Sequence, residues 1–274
     1  MPRFALALLV LAPLLFAGPL AAQDRQPSHC IAMAEAIPGA TYLHKASFRT
    51  APAPDRVRIS YIAHASFLIQ SAGGVNVVTD YTGFLGVTTL VPDVVTMNHA
   101  HATHWTASPD PAIRHVLKGW GPYRQGIEHH LEVGDMLIRN VSTDIRSFDG
   151  VEEKGNSIFI FEVAGLCVGH LGHLHHEPNE EQYAGIGRLD VVMAAVDGGR
   201  TVDLPTMIRI LSRLRSSVVI PMHWFDEWTL DAFLLGMPET FDVIDIGDNS
   251  VEVSLRDLPS RPTVVVLRPR FLED

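Results

Sequence analysis

The sequence predicts an α/β protein of four layers, αββα: two mixed β-sheets packed face to face, with helices outside. Two observations carry that expectation. Strand-like runs joined by short turns crowd the first part of the main domain, and in the later part strands alternate with segments of helical period. Each element follows from local residue choice.

The first 22 residues read as a secretory signal peptide. Arg3 supplies a positive charge, Phe4 to Phe16 is almost wholly apolar, and Ala17, Gly18, Ala21 and Ala22 are small. The apolar run is shorter than the ~20 residues that span a bilayer. The mature chain is therefore expected to be periplasmic or secreted, free of the membrane once the signal is cleaved. Residues 23–55 form an N-terminal segment and linker. A short stretch from His29 to Ala40 is compatible with a helix, and Ala51-Pro52-Ala53-Pro54 reads as an extended connector. The main domain runs from 56 to 274, enough chain for one large core.

Within it, Val57–Tyr61, Phe67–Gln70 and Val75–Thr79 are β-rich runs separated by His64-Ala65-Ser66 and Gly73-Gly74, the pattern of an antiparallel meander. Val94–Met97 and Ile113–Leu117 are further strands. Leu131–Val141 is strand-turn-strand about Gly134-Asp135, and Ser157–Val163 with Leu166–His170 is a hairpin. Then come a helix over Glu180–Ile186, a buried strand over Leu189–Ala195, and a helix over Leu204–Leu214 with apolar residues at 204, 207, 208, 211 and 214. Ser217–Ile220 is a strand, Leu230–Leu235 a helix, and Val251–Leu255 and Val264–Leu267 are closing strands. The loops Tyr81–Leu90, Thr106–Pro109 and Asp149–Gly155 are expected to shape any pocket.

Charge narrows the function classes. The formal net charge is −10 and no basic block occurs, which disfavours a nucleic-acid partner and leaves a small molecule as the expected one. Oligomeric state is not legible. The two cysteines, Cys30 and Cys167, can pair in an oxidising compartment, or Cys167 can be a buried thiol in its apolar run.

Chemistry concentrates in histidine. Of 14 histidines, nine are clustered or stand at strand ends: His64, His99, His101, His104, His170, His173, His175, His176 and His223. The stretch Val91–Trp105, VPDVVTMNHAHATHW, is the most specific. Its β-branched run ends at Asn98 and delivers His99, His101 and His104 at once. A strand end is held by the sheet while the loop beyond can turn several side chains to one point, and imidazole is the commonest ligand of zinc-like ions. Trp105, Trp224 and Trp228 lie beside these histidines in sequence and read either as core or as pocket wall.

In order along the chain, YIAHASFLI followed by VVTD, then HAHATHW, HLGHLHH, IGRLDVVMAAVDGG and VVIPMHW resemble the motifs of the metallo-β-lactamase-fold superfamily. The likeness is to zinc-dependent hydrolases of the kind that open ascorbate lactones. It implies a metal-bound hydroxide attacking an ester, lactone or phosphodiester. Against the family pattern, Thr103 replaces an Asp that binds the second metal, His173 replaces the Asp that bridges two metals, and Phe148 replaces a His ligand. These departures point to one ion rather than two. His99, His101 and His173 would hold a zinc ion, with His104 and His223 as further ligands; copper or another transition metal also suits imidazole. Asp80, His64, His170 and Thr103 would stand behind the ligands, and His104, His223 or Asp149 would relay the proton that the lost Asp no longer takes. A non-catalytic metal- or ligand-binding protein on the same fold is the alternative.

Overall fold

The structure, a computed structural model, describes residues 26–32, 47–99, 101–148 and 150–274. The signal-peptide segment and Asp149 therefore lie outside the described residues. In chain order the elements are α1 (His29–Ala32), β1 (Arg56–Ala63), β2 (Ser66–Ser71), β3 (Asn76–Val78), β4 (Gly86–Val87), β5 (Val94–Met97), β6 (His115–Lys118), β7 (His130–Val133), β8 (Met136–Ser147), β9 (Gly150–Val163) and β10 (Leu166–His170). There follow α2 (Glu180–Ile186), β11 (Val191–Ala195), α3 (Leu204–Leu214), β12 (Val218–Met222), α4 (Glu227–Gly236), β13 (Asp242–Asp245), β14 (Ser250–Ser254), β15 (Thr263–Val266) and β16 (Leu272–Glu273).

Two mixed sheets form as expected. The first has the order β14-β1-β2-β3-β5-β6 and the second β13-β15-β12-β11-β10-β9-β8-β7. Each is half antiparallel and half parallel. The meander β1-β2-β3 is antiparallel, then β3, β5 and β6 run parallel. In the second sheet β7 to β10 are antiparallel neighbours, while β10, β11, β12, β15 and β13 run parallel. The apolar faces meet between the sheets in one core that includes Val57, Ile59, Phe67, Val77, Phe159, Phe161, Val191 and Ile220.

Helices α2, α3 and α4 cover the outer face of the second sheet, where Ile186, Met207, Ile210, Leu211 and Phe233 pack on Ile160, Val192, Val219 and Val264. Their starts are capped by sequence: Asn179 and Gln182 form a reciprocal capping box, and Asp203 accepts from the Thr206 N–H with a proline in the first turn of α3. The outer face of the first sheet differs from the expected layer of helices. Among the described residues it is covered by non-helical segments carrying Tyr81, Leu85, Ile113, Trp105 and Trp120, and by Leu272 of β16.

The stretch 150–155, expected as a loop, is strand. β8 and β9 make a long ribbon paired from Met136↔Val163 to Ser147↔Gly150, with a register shift between Thr143 and Ile145. Its outer part, GVEEKG, is polar because both faces there are wet, so it lacks the apolar alternation of a buried strand. Cys30 and Cys167 are joined in a disulfide. Beside it, Ser28 Oγ and the His29 N–H donate to the Glu162 carboxylate, which also accepts from Arg139 Nε at 2.7 Å. The N-terminal segment is thereby fastened to the back of β10. No helix among the described residues is long and apolar enough to cross a membrane.

Candidate metal centre

The site residues share one topological position. Asp80 follows β3, Asn98 to His104 follow β5, His173 follows β10, Asp197 follows β11 and His223 follows β12. These strands belong to the parallel halves of the two sheets, and loops leaving the carboxyl ends of parallel strands are where open α/β sheets gather ligands. His64 joins them from the β1–β2 turn.

The turns are strained to bring them in. His64, Asp80 and His223 have positive φ values of 49°, 42° and 60°, a region that costs a non-glycine residue roughly 1–3 kcal/mol. Backbone bonds hold two of them together: the His223 N–H donates to His64 O at 2.8 Å, and Tyr61 Oη donates to the same carbonyl at 2.6 Å. The loop after β10 needs Gly172, at φ 63°, because a Cβ there would lie 1.8 Å from Asn98 Nδ2.

Ring by ring, hydrogen bonds decide which nitrogens are free. Asp80, fully buried, takes the Nδ1 proton of His104 at 2.5 Å and the Asn98 N–H at 2.9 Å, so His104 Nε2 carries a lone pair. That lone pair faces His223 Nε2 at 3.2 Å. The Asp197 carboxylate lies 2.8 Å from His223 Nδ1, close enough to hold the proton there electrostatically although off the line of a good hydrogen bond. His99 Nδ1 donates to Gly155 O at 2.5 Å, leaving its Nε2 as an acceptor. His175 Nδ1 accepts the Arg146 N–H at 2.7 Å, which places its proton on Nε2. His170 is different: Nε2 donates to Ala65 O at 2.8 Å, and Nδ1 lies 3.2 Å from both Asn98 Nδ2 and the Gly172 N–H. It has nothing left to offer an ion.

Among the described residues, two groups of three histidine nitrogens lie within 4.8 Å of one another: His101, His104 and His173, and His64, His104 and His223. His99 stands outside both, although it lines the same pocket of about 430 Å³ with His101, His173 and His223. The set expected from sequence, His99 with His101 and His173, is thus rearranged, with His104 in the place of His99. Thr103 is exposed, its Oγ1 3.4 Å from His101 Nδ1.

Electrostatics favour a cation other than a proton. Burial, reinforced by neighbouring imidazoles, pushes His104 and His173 down to about 2 and His64 to about 3. Burial and Arg146 push His175 to about 4. The rings are therefore neutral at ordinary pH, the form in which imidazole binds metal. Behind them, burial raises Asp80 to about 6. Burial opposes ionisation of Asp197 too, but His223 and the Gly199 and Thr201 N–H groups outweigh it and hold that carboxyl well below the usual range. The residues fit an ion. Two nitrogens bound at 2.0–2.1 Å to one tetrahedral zinc stand about 3.3–3.4 Å apart, close to the 3.2 Å between His104 and His223. With both rings protonated on Nδ1, the two Nε2 lone pairs face each other, an arrangement that a shared cation relieves.

Several site residues escaped sequence reasoning. Asp197 sits before Gly198-Gly199 and accepts from the N–H groups of Gly199, Arg200 and Thr201, a role visible only once β11 is placed beside β12. His175, given no role from sequence, lines the pocket, as do Ile145, Arg146, Arg200 and Phe225. The tryptophans do not. Trp105 packs edge-on to Trp120, Trp224 joins both inner and outer cores of the second sheet, and Trp228 is exposed.

Sequence comparison matches a beta-lactamase superfamily domain over residues 58–223. Among solved structures the chain resembles a protein of Thermotoga maritima assigned as a Zn-dependent hydrolase of the metallo-β-lactamase superfamily. The identity is 26%, the TM-score 0.56, and the match covers 77% of this chain and 98% of that one. A metallo-hydrolase of the archaeon Ignicoccus hospitalis matches at 18% identity and TM-score 0.48, over 66% of this chain and 91% of that one. No curated protein matches.

Proposed function

The chain belongs to the β-lactamase superfamily, and from that premise we propose that it is an exported, metal-dependent hydrolase of a small ester, lactone or phosphodiester, working with a single ion. The observation that carries this reading is the pair of facing nitrogens of His104 and His223, each backed by a carboxylate. His104 and His223 would hold the ion, with His101 and His173 beside them. Zinc is the first expectation, in keeping with the Thermotoga maritima relative; copper is the second, since the donor set is all imidazole. When bound, the ion supplies Lewis acidity and activates water near neutral pH.

The chain's own residues supply the rest. Asp80 and Asp197 fix the tautomer and aim of His104 and His223. Both nitrogens of these two rings are committed, so neither relays a proton. His99, with its proton fixed toward Gly155, presents Nε2 as the acceptor that Thr103 cannot be. At the mouth, the Arg200 guanidinium lies 4.7 Å over the Phe225 ring and has no carboxylate partner among the described residues, which favours a negatively charged substrate. Export is supported by the signal-like first 22 residues and by the Cys30–Cys167 disulfide, a bond of oxidising compartments.

The test is turnover of a panel of anionic and neutral esters, lactones and phosphodiesters by zinc-loaded protein, chelated protein and His99→Gln. Hydrolysis that needs zinc, and that falls in kcat in His99→Gln with metal content kept, is expected. Full zinc occupancy with no turnover across the panel would instead favour the non-catalytic binding protein, which the absence of a carboxylate from both nitrogen groups makes the second reading.

A further inference from the structure

His64 has no ligand role in the reading above, yet it is held as a ligand would be. Its Nε2 is buried without a hydrogen-bond partner. Its ring stands 3.9 Å, centroid to centroid, from that of His223. A nitrogen of His64 lies within 4.8 Å of nitrogens of both His104 and His223. Its backbone is left-handed, as is that of His223, and the two are tied by the His223 N–H to His64 O bond at 2.8 Å. A strained backbone kept by two hydrogen bonds on one carbonyl needs a reason, and aiming an unpartnered imidazole at two others supplies one.

His104 then sets the arithmetic. It belongs to both groups of three, but Asp80 takes its Nδ1, so it has one nitrogen to give. An imidazole nitrogen binds one ion at a time. We infer that His64 is a metal ligand and that the ion has two alternative seats hinged on His104: an inner seat with His64 and His223, and an outer seat with His101 and His173. The seats cannot be filled together. Both seats border the same pocket, which His64 and His223 line together with His101 and His173, and the outer seat includes the exposed His101. An ion that moves outward exchanges His64 and His223 for His101 and His173 along one wall of that pocket. This inference rests on the cluster holding a single ion.

Cobalt(II) titration of the tag-free, oxidised chain, followed by its visible absorption, tests both levels separately. His64→Asn is the variant of choice because Asn tolerates left-handed backbone. The unmutated chain is expected to take one cobalt. His64→Asn and His101→Ala should each still bind one cobalt with a changed spectrum, and because the affinities of exclusive seats add, the smaller of the two losses should be no more than about twofold. The double variant should lose more than the product of the two single losses, since each single leaves one seat whole. In the unmutated chain loaded with ¹¹³Cd, a cadmium–nitrogen coupling should appear at the His64 ring, a readout independent of whether the variant folds. One cobalt bound with His64→Asn identical to the unmutated chain, or no coupling at His64, overturns the inference and leaves the single-ion reading standing. No cobalt bound by the unmutated chain overturns that reading itself.

Discussion

His104 and His170 are both sealed from solvent, and they do opposite things with their nitrogens. His170 spends both on the protein: one on Ala65 O, one among Asn98 and Gly172. It is a strut that ties β10 to the β1–β2 turn. His104 spends one on Asp80 and turns the other toward a second imidazole at 3.2 Å. Burial alone does not separate a structural histidine from a ligand. The separation lies in whether every polar atom is satisfied by the chain, because an orphaned buried nitrogen costs free energy that only a ligand recovers.

The most direct way to break the comparison is to remove each ring. His104→Ala should abolish tight metal binding and reduce hydrolysis to background. His170→Ala should keep metal binding within about tenfold but lower unfolding stability by about 2–4 kcal/mol, because the Ala65 carbonyl and the Asn98 amide lose a buried partner. Equilibrium dialysis against zinc and urea denaturation read the two effects separately. If both variants lose metal equally, the distinction between strut and ligand is wrong.

The carboxylates behind the rings give the next largest effect. Asp80→Asn should weaken zinc binding by about 10–100-fold, the range for groups that orient a ligand imidazole. Asp197→Asn should do the same at the lower end, because its contact with His223 is off the hydrogen-bond line. Zinc competition with a chromogenic chelator ranks the two; a larger loss in Asp197→Asn would contradict the tautomer assignment of His104.

Acid sharpens the comparison further. His64, His104, His173 and His175 have folded pKa values pushed to about 4 or lower, against 6.5 in an unfolded chain. Above pH 6.5 both states are neutral and these groups contribute nothing. As pH falls below 6.5 the unfolded chain takes up protons that the native cluster refuses, so stability falls with pH. Asp80 opposes this in part: its folded pKa of about 6 lies above that of a free carboxyl, so the native state gains a proton first. The limit is ~1.4 kcal/mol per group per pH unit. Because His64 and His175 are only partly buried, a net loss of about 2–4 kcal/mol between pH 6.5 and 4.5 is expected for metal-free protein. A urea midpoint that does not move over that interval would count against a neutral cluster. The smallest effect belongs to the mouth. Arg200→Ala should raise KM for anionic substrates by about tenfold or less, as suits an exposed charge, and leave neutral ones unchanged.

Much of this was legible beforehand, and for a physical reason. The helices Glu180–Ile186 and Leu204–Leu214 fall where capping residues and apolar spacing place them. Strands ending in Asp80, Asn98 and His223 could be seen because β-branched runs stop abruptly at polar side chains. What was hidden depends on neighbours distant in sequence. The outer half of β9 is polar on both faces, and β13, an exposed edge of four residues, has only Val243 and Ile244 as apolar signal. Grouping His104 rather than His99 with His101 and His173 required knowing which ring nitrogens the folded loops bring within 4.8 Å of one another. No spacing rule within HAHATHW carries that information.

The central claim is that five imidazoles from both sheets serve one ion. Native mass spectrometry of the tag-free, oxidised protein after zinc loading and desalting measures it directly. A mass increment of one zinc per chain is the result expected. An increment of two, or none, would contradict the account.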